Sequence, residues 1–309
     1  MAKKMLSMIL IYIFVSIVLL PALITYCSSQ THTQAPSESE LAVAEIVRPS
    51  SGEFEDYIKG VVAAEMPALF QEEALKAQAV SARTYAVRKM EENGSLDVPY
   101  DIGQAYITTE EMKQKWGEHF TDYYNKISDA VDATKGEIMV YENQPILAVF
   151  HAQSSGKTES AENVWSQSLP YLQSVDSAVD EKAPDFEKTV AFTYDEIIKK
   201  FQQKYSDFQL PKESIAKQIH ITSRSDAGYV QQIQMGNQTL TGREVREVLG
   251  LRSANFTVAV EGDILYFTTK GYGHGAGMSQ YGAELMAQEG KTYHEILQHY
   301  YTGISFVAM

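Results

Sequence analysis

The sequence FEDYIKGVVAAEMP, residues 54–67, organises the rest of the chain. Its apolar residues recur at helical spacing up to Ala64, and Pro67 then ends the helix. Glu65 is thereby placed at or near the carboxyl end of the helix, alone among apolar neighbours. Apolar surroundings disfavour the charged form of a carboxyl group and raise its pKa toward neutrality, as a general acid working near pH 7 requires. The alternative is an ordinary solvated glutamate near a helix end.

A second helix is predicted from about Gln71 to Met90. Many alanines lie on one broad face, so another element can approach closely, and we expect this helix to be central. Arg83 lies near that face, and a cation on a buried side needs an acceptor. A carboxylate or a substrate hydroxyl would serve, and a purely structural ion pair is the alternative.

The rest of the chain alternates helical patterns with antiparallel hairpins, which predicts an α+β fold with a groove between packed lobes. A third helix is expected from Thr108 or Thr109 to about Thr134, and the segment from Trp165 to Thr189 is interpreted as surface loop. Further helices are predicted at residues 194–205, 241–250, 280–290 and from 292 onward. Hairpins are predicted to pair residues 137–141 with 145–152, 218–223 with 229–235, and 256–260 with 264–269.

Two polar, glycine-containing segments carry most of the remaining candidate site residues. The first, from His151 to Glu159, follows an apolar strand, where binding sites are common. Its Gly-Lys-Thr triplet lacks the glycine five residues earlier that a phosphate-binding loop needs. The second, from Gly271 to Ala283, has four glycines at alternate positions, which indicates a close backbone approach or repeated positive φ angles.

Composition limits the function classes. With 309 residues and 44% hydrophobic content, the chain can bury a substantial core. Its net charge of −14 argues against nucleic acid as the main partner and suits an uncharged or mildly charged substrate. Cys27 is the only cysteine, so an extracellular domain here has neither a disulfide nor a cysteine-based zinc site.

The amino terminus predicts a membrane anchor. Lys3 and Lys4 precede an uncharged run from Leu6 to Tyr26 that is long enough to cross a bilayer as a helix, with the lysines cytoplasmic. A cleaved signal peptide or a lipidated Cys27 is the alternative, but neither has the small residues it normally requires. We predict the following domains: residues 1–27, cytoplasmic tip and anchor; 28–50, flexible linker; 51–309, extracytoplasmic catalytic domain.

Three segments together resemble one known family, stage II sporulation protein D of spore-forming bacteria. They are residues 61–67 with the following AQAVSARTYA, the loop from His151 to Trp165, and residues 271–283, and residues 240–253 fit as well. The resemblance extends over residues 45–309. It implies a membrane-anchored lytic transglycosylase, which cleaves the MurNAc–GlcNAc bond of peptidoglycan without water and leaves a 1,6-anhydro end on MurNAc.

The same resemblance implies a biological setting. The family acts during engulfment of the forespore, from the mother-cell membrane facing the intermembrane septal space. It prefers glycan strands already stripped of stem peptides. The implied partners are therefore peptidoglycan strands, the amidase stage II sporulation protein P and the membrane scaffold stage II sporulation protein M, with no nucleic acid.

The resemblance also implies roles for individual residues. A typical hydrolase needs two carboxylates, whereas a lytic transglycosylase needs one, because the O6 of the sugar itself attacks C1. Glu65 would protonate the leaving oxygen and then accept the O6 proton, and Arg83 would orient it across a helix–helix contact. The other expected substrate-binding residues line the two sides of the cleft: His151, Ser154, Ser155 and Lys157 on one, and His274, Ser279 and Gln280 on the other.

Some family members carry a zinc site built on histidine and cysteine after the second helix. Residues 100–106 of this chain contain neither, so we predict no metal and no cofactor. Two other functions remain open because a fold does not guarantee activity: a glycan-binding enhancer of an amidase, and a scaffold of the engulfment complex. The retention of Glu65 in an apolar setting favours the enzyme.

Overall fold

The computed structural model of the protein describes residues 51–94 and 103–309. Within these ranges no helix is both long enough and apolar enough to cross a membrane. The predicted anchor at Leu6–Tyr26 and the linker at 28–50 lie outside the described residues. The described residues all belong to one compact unit, Ile46–Met309.

Helices and strands alternate along the chain. The helices are α1 (Ser51–Glu65), α2 (Glu72–Asn93), α3 (Thr109–Trp116), α4 (Phe120–Ala133), α5 (Ala161–Trp165), α6 (Tyr194–Lys204), α7 (Ile215–Gln218), α8 (Gly242–Leu249), α9 (Gln280–Gln288) and α10 (Tyr293–Tyr300). The strands are β1 (Glu137–Tyr141), β2 (Gln144–Pro145), β3 (Phe150–His151), β4 (Glu187–Thr193), β5 (Ile219–Arg224), β6 (Val230–Met235), β7 (Gln238–Leu240), β8 (Phe256–Glu261), β9 (Ile264–Lys270), β10 (Met278–Ser279) and β11 (Ser305–Ala308).

The larger lobe surrounds a hydrophobic core of buried residues that lie between 54 and 172 and between 278 and 301. The helix α2 is its centre. It packs against α1, α4, α9, α10 and β1, and its alanines are buried on several sides, so the predicted central position is confirmed. The neighbouring elements can approach the helix closely because the alanine side chain is small. Behind these helices, β1 pairs antiparallel with β11 and with β2, and the whole assembly encloses one hydrophobic core.

The smaller lobe has a second hydrophobic core, built from residues between 190 and 267. It contains two antiparallel sheets with strand orders β4-β9-β8 and β5-β6-β7, and α6 and α8 pack beside them. The two lobes thus combine helices with mainly antiparallel strands, and the predicted α+β class is confirmed. The two-residue strands β3 and β10 pair in parallel.

Three expected elements differ from the structure. The single helix predicted up to Thr134 is divided into α3 and α4, because Gly117 adopts a φ of 53° and a 3₁₀ turn follows. The predicted strand 145–152 is reduced to β2 and β3. The predicted surface loop contains the start of β4, which forms because its backbone pairs along its whole length with β9.

Candidate active site

Glu65 is the last residue of α1, and its side chain is partly buried. Its Oε1 accepts a hydrogen bond from the backbone N–H of Ala105 at 2.7 Å, and the side chain of Gln280 hydrogen-bonds to the same carboxylate. Burial raises the pKa of Glu65, and these two hydrogen bonds oppose the rise by stabilising the ionised form. The predicted carboxyl group with a raised pKa at a helix end is confirmed.

Gln280 connects the carboxylate to the central helix. It is the first residue of α9, is only 6% exposed, and its Nε2 lies 3.3 Å from Oε1 of Gln78 on α2. The Nε2 of Gln78 is itself buried and has no hydrogen-bond partner among the described residues. Three helices, α1, α2 and α9, therefore meet where Glu65 emerges, and an amide network determines the position of its carboxyl group.

The structure corrects the role expected for Arg83. Its side chain is fully buried, and its Nη2 and Nε lie 2.7 Å and 3.0 Å from the two carboxylate oxygens of Glu55. The remaining donors reach the carbonyl oxygens of Glu137 and Val131 at 3.1 Å and 3.3 Å. These contacts are structural, and Glu65 is not among the partners of Arg83 in the described residues. The ion pair, the alternative left open by the sequence, is the arrangement that the protein adopts.

A buried aspartate joins the two polar segments. Asp180 is fully buried, and its carboxylate accepts hydrogen bonds from the backbone N–H of Ser154 at 2.9 Å and from the hydroxyls of Ser177 and Ser279 at 3.0 Å and 2.8 Å. Burial raises the pKa of Asp180, and hydrogen bonds from these serines oppose the rise. Sequence reasoning missed Asp180 because it lies in a stretch interpreted as surface loop.

This network also corrects two of the predicted substrate contacts. Ser154 and Ser279 are both fully buried, so their side chains support the site from within and do not line a cleft. The hydroxyl of Ser279 also accepts a hydrogen bond from the backbone N–H of Gly282 at 3.1 Å, which caps α9. Because Gln280 follows directly, Asp180 positions the amide that contacts Glu65.

His151 and His274 lie side by side, with ring centroids 5.6 Å apart. The Nδ1–H of His151 donates to the carbonyl of Ala276 at 3.0 Å, and its Nε2 is buried without a partner in the described ranges. Burial, together with the neighbouring His274 and Arg246, lowers the pKa of His151 to about 3. Burial and Arg246 lower the pKa of His274 to about 4. Both rings are therefore neutral at pH 7.

The two remaining predicted residues lie at the edge of this region. Ser155 is partly buried, and its hydroxyl donates to the carbonyl of Ala227 in the smaller lobe at 3.4 Å. Lys157 is exposed, and its ammonium forms no ion pair with the residues that the structure describes. Among the expected site residues, the structure thus brings Gln280 to Glu65 and pairs His151 with His274.

A cavity of about 560 Å³ lies where the two lobes meet. Glu159, Asn163 and His274 line it from the larger lobe, and Tyr229, Arg243 and Arg246 line it from the smaller one. No local sequence pattern predicted that these six residues line one cavity, because they come from four separate segments of the chain. Of the predicted site residues, His274 lines this cavity, whereas Glu65 and Gln280 do not.

Sequence comparisons with known proteins identify one family. The stage II sporulation protein family, SpoIID, matches residues 46–141. The chain is 44% identical over 256 residues to stage II sporulation protein D of Bacillus subtilis, covering 81% of this chain and 73% of that protein. Its identity to the protein of the same name from Bacillus amyloliquefaciens is also 44%, over 257 residues and with the same coverage.

A more distant relative has a different name. The amidase enhancer of Bacillus subtilis is 29% identical over 305 residues, covering 81% of this chain and 40% of that longer protein. The 44% identity to the Bacillus subtilis stage II sporulation protein D extends over most of both chains, which is far more than one shared motif. The chain therefore belongs to the stage II sporulation protein D family.

Proposed function

We propose that this sporulation protein is a peptidoglycan lytic transglycosylase that cleaves peptide-stripped strands between MurNAc and GlcNAc. The observation that carries the proposal is the Glu65 carboxyl group, partly buried at a helix end with a raised pKa. A carboxyl group in such a setting retains a proton closer to neutral pH than a solvated one does, which suits a general acid.

The chemistry follows from a single carboxyl group. Protonated Glu65 donates its proton to the glycosidic oxygen as the bond to C1 of MurNAc breaks. The resulting carboxylate then takes the proton from the O6 hydroxyl of the same sugar as O6 bonds to C1, which closes the 1,6-anhydro ring and restores the acid. Among the described residues, neither the hydrogen bonds of Glu65 nor the groups that shift its pKa include a second carboxylate, which a typical hydrolase would need.

The setting belongs to the same proposal. We place the protein in the mother-cell membrane, held by the anchor predicted at residues 6–26, with the domain facing the septal space. Stage II sporulation protein P would remove the stem peptides there, and stage II sporulation protein M would hold the complex at the membrane. The strongly acidic chain, with a net charge of −14, argues against a densely charged polyanion such as nucleic acid as the substrate.

A second candidate function has an observation in its favour. The name of the related amidase enhancer describes an effect on another enzyme. In this second candidate function, the domain would bind glycan without cutting it. A binding role needs no acid, and the desolvated Glu65 would then be a cost in stability without a purpose.

The test is product analysis with the full-length protein. Peptide-free glycan strands are incubated with the wild type, with Glu65→Gln, and with Glu53→Gln, a matched control that changes an exposed carboxylate on the same helix. Mass spectrometry should find anhydro-MurNAc ends with the wild type and the control, and a loss of about 10²–10⁴-fold in rate with Glu65→Gln. Reducing ends would indicate a hydrolase, and binding without products would support the enhancer.

A further inference from the structure

The cavity between the lobes contains an arginine that forms no ion pair among the described residues, although Glu162, Glu244 and Glu247 also line the cavity. Arg246, on α8, is partly buried, and its Nε donates to the carbonyl of Leu251 at 3.3 Å. It forms no ion pair with any described residue, although Glu247 and Arg243 beside it pair with each other at 3.0 Å. Burial lowers the pKa of Arg246, and the neighbouring Glu247 offsets this only in part, so the guanidinium has lost water without full compensation.

The opposite wall contains a carboxylate with an unused oxygen. Glu159 is only 2% exposed, and its Oε1 accepts hydrogen bonds from the backbone N–H of Ser160 at 2.9 Å and from Nδ2 of Asn163 at 2.8 Å. Its Oε2 is buried and has no partner among the residues described. A buried acceptor of this kind is costly unless a ligand supplies a donor.

These two groups specify the chemistry of a ligand. A guanidinium without an ion pair matches a carboxylate, which it can bind through two parallel hydrogen bonds. A carboxylate with a free oxygen matches a hydroxyl or an amide N–H. Trp165, 36% exposed and packed at 5.1 Å against the ring of His274, adds an aromatic surface beside the cavity. The arrangement suits a sugar that bears both an acid and neutral donors.

The chain connection between the cavity and Glu65 sets an upper limit on their separation. One segment of chain connects the two places, with His274 in the cavity wall and Gln280 at the Glu65 carboxylate. Six residues span at most about 22 Å when fully extended, and this segment is not straight, since glycines with positive φ interrupt it. A strand of several sugars covers such a distance.

We infer that this cavity binds the free lactyl carboxylate of a muramic acid residue, with Arg246 as its partner and with Glu159 accepting a hydrogen bond from the same strand. The inference rests on the proposed glycan substrate. It gives a physical reason for a preference for stripped strands: a stem peptide converts the lactyl carboxylate into a neutral amide, which removes the charge that Arg246 requires.

The test measures binding separately from cleavage. The full-length Glu65→Gln protein is titrated calorimetrically with two MurNAc–GlcNAc tetrasaccharides that differ only in the lactyl groups, which are free carboxylates in one and primary amides in the other. We expect the free acid to bind at least about 10-fold more tightly, as charge-assisted hydrogen bonds do. Adding Arg246→Gln should reduce the difference to roughly twofold or less.

Arg243→Gln is the matched control, because it removes the same charge from the same wall where the arginine already has an acidic partner. It should keep most of the difference between the two ligands. Should Arg246→Gln fail to fold, Arg246→Lys retains the charge without the bidentate geometry and should show an intermediate preference.

Equal affinity for the two tetrasaccharides, absence of binding, or equal losses with Arg243→Gln and Arg246→Gln would each overturn the inference. The proposed function is judged on different data, the anhydro products of the wild type. Cleavage without carboxylate preference would leave the transglycosylase standing and remove the lactyl site. Carboxylate preference without cleavage would support the lactyl site and contradict the transglycosylase.

Discussion

The carboxyl group of Glu65 is subject to opposing influences that a solvated glutamate does not experience. Burial raises its pKa, whereas the N–H of Ala105 and the amide of Gln280 stabilise the charged form. A general acid that must also act as the conjugate base needs this balance, because it has to lose a proton and regain one within a single turnover. The amide of Gln280 is the part of this balance that a mutation can remove most cleanly.

Gln280→Leu should move the upper pH limit of activity to higher pH. Loss of the amide removes a hydrogen bond to the ionised carboxylate, so the pKa of Glu65 rises and the acid stays protonated over a wider range. The measurement is the pH dependence of kcat on peptide-free strands, with Gln288→Leu at the far end of the same helix as the control. An unchanged or lowered limit would show that Gln280 does not act on Glu65.

Glu65→Gln should gain stability relative to the wild type as the pH rises. The folded-state pKa of Glu65 is raised, so its contribution to stability is complete below the unfolded pKa and is lost as the pH rises through the folded pKa. The variant has no such loss. Urea unfolding at about pH 4 and about pH 8 checks this, and the difference between variant and wild type should grow in favour of the variant at the higher pH.

At the scale of elements, one ion pair joins three of them. Glu55 on α1 holds Arg83 on α2, accepts a hydrogen bond from the backbone N–H of Gly136 at 3.1 Å, and Arg83 in turn reaches the first carbonyl of β1. The pair is buried, so water cannot replace either partner if that partner is removed. The orientation of α1, and with it the position of Glu65, depends on this junction.

Arg83→Met should therefore cost about 3–5 kcal/mol in the free energy of unfolding, because it leaves the carboxylate of Glu55 buried without its cation. The double variant Glu55→Gln/Arg83→Met should recover part of that loss, since no lone charge remains. Urea denaturation gives both values. Arg88→Met on the same helix, whose pair with Glu92 is partly exposed, should change stability by about 1 kcal/mol or less. Equal effects at the two arginines would contradict the assignment.

Periodicity predicted the elements but not their partners. The helix ending at Glu65 was predictable because its apolar spacing and Pro67 are local signals. The acceptor of Arg83 was not, because Glu55 lies 28 residues away and looks like any acidic residue on a helix. The strand β4 was missed for a similar reason: Phe192 is its only buried residue, and the strand exists through its pairing with β9.

At the scale of the whole molecule, the glycine-rich segment joins the two lobes. The backbone N–H of Gly271 donates to Phe186 and that of Gly273 to Arg252, both at 2.9 Å, while the N–H of Tyr272 donates to Gln153 in the larger lobe at 2.8 Å. Gly275 lies against the hydroxyl of Tyr229, so closely that a Cβ there would be 2.3 Å from it. The sequence predicted a close approach of the backbone at the alternate glycines, but it did not predict which part of the protein they approach.

Gly275→Ala should destabilise the protein more than Gly290→Ala. Both glycines have positive φ, 86° and 87°, so both variants place an alanine in a strained region of φ. Only the Cβ at position 275 meets another atom, whereas the space at 290 is open. We expect an additional loss of about 1–3 kcal/mol at position 275, measured by urea unfolding, because Tyr229 must move. Similar losses at both positions would mean that this contact between the lobes is loose.

The neutral pair of His151 and His274 has a consequence for how the protein responds to acidity. With pKa values of about 3 and about 4, neither ring gains a proton between about pH 5 and pH 8. Under the proposed function, KM for a substrate bound beside His274 should therefore stay constant over this pH range, whereas kcat should change as Glu65 titrates. An inhibitor built to fill this part of the cleft would keep its potency in mildly acidic and neutral media alike.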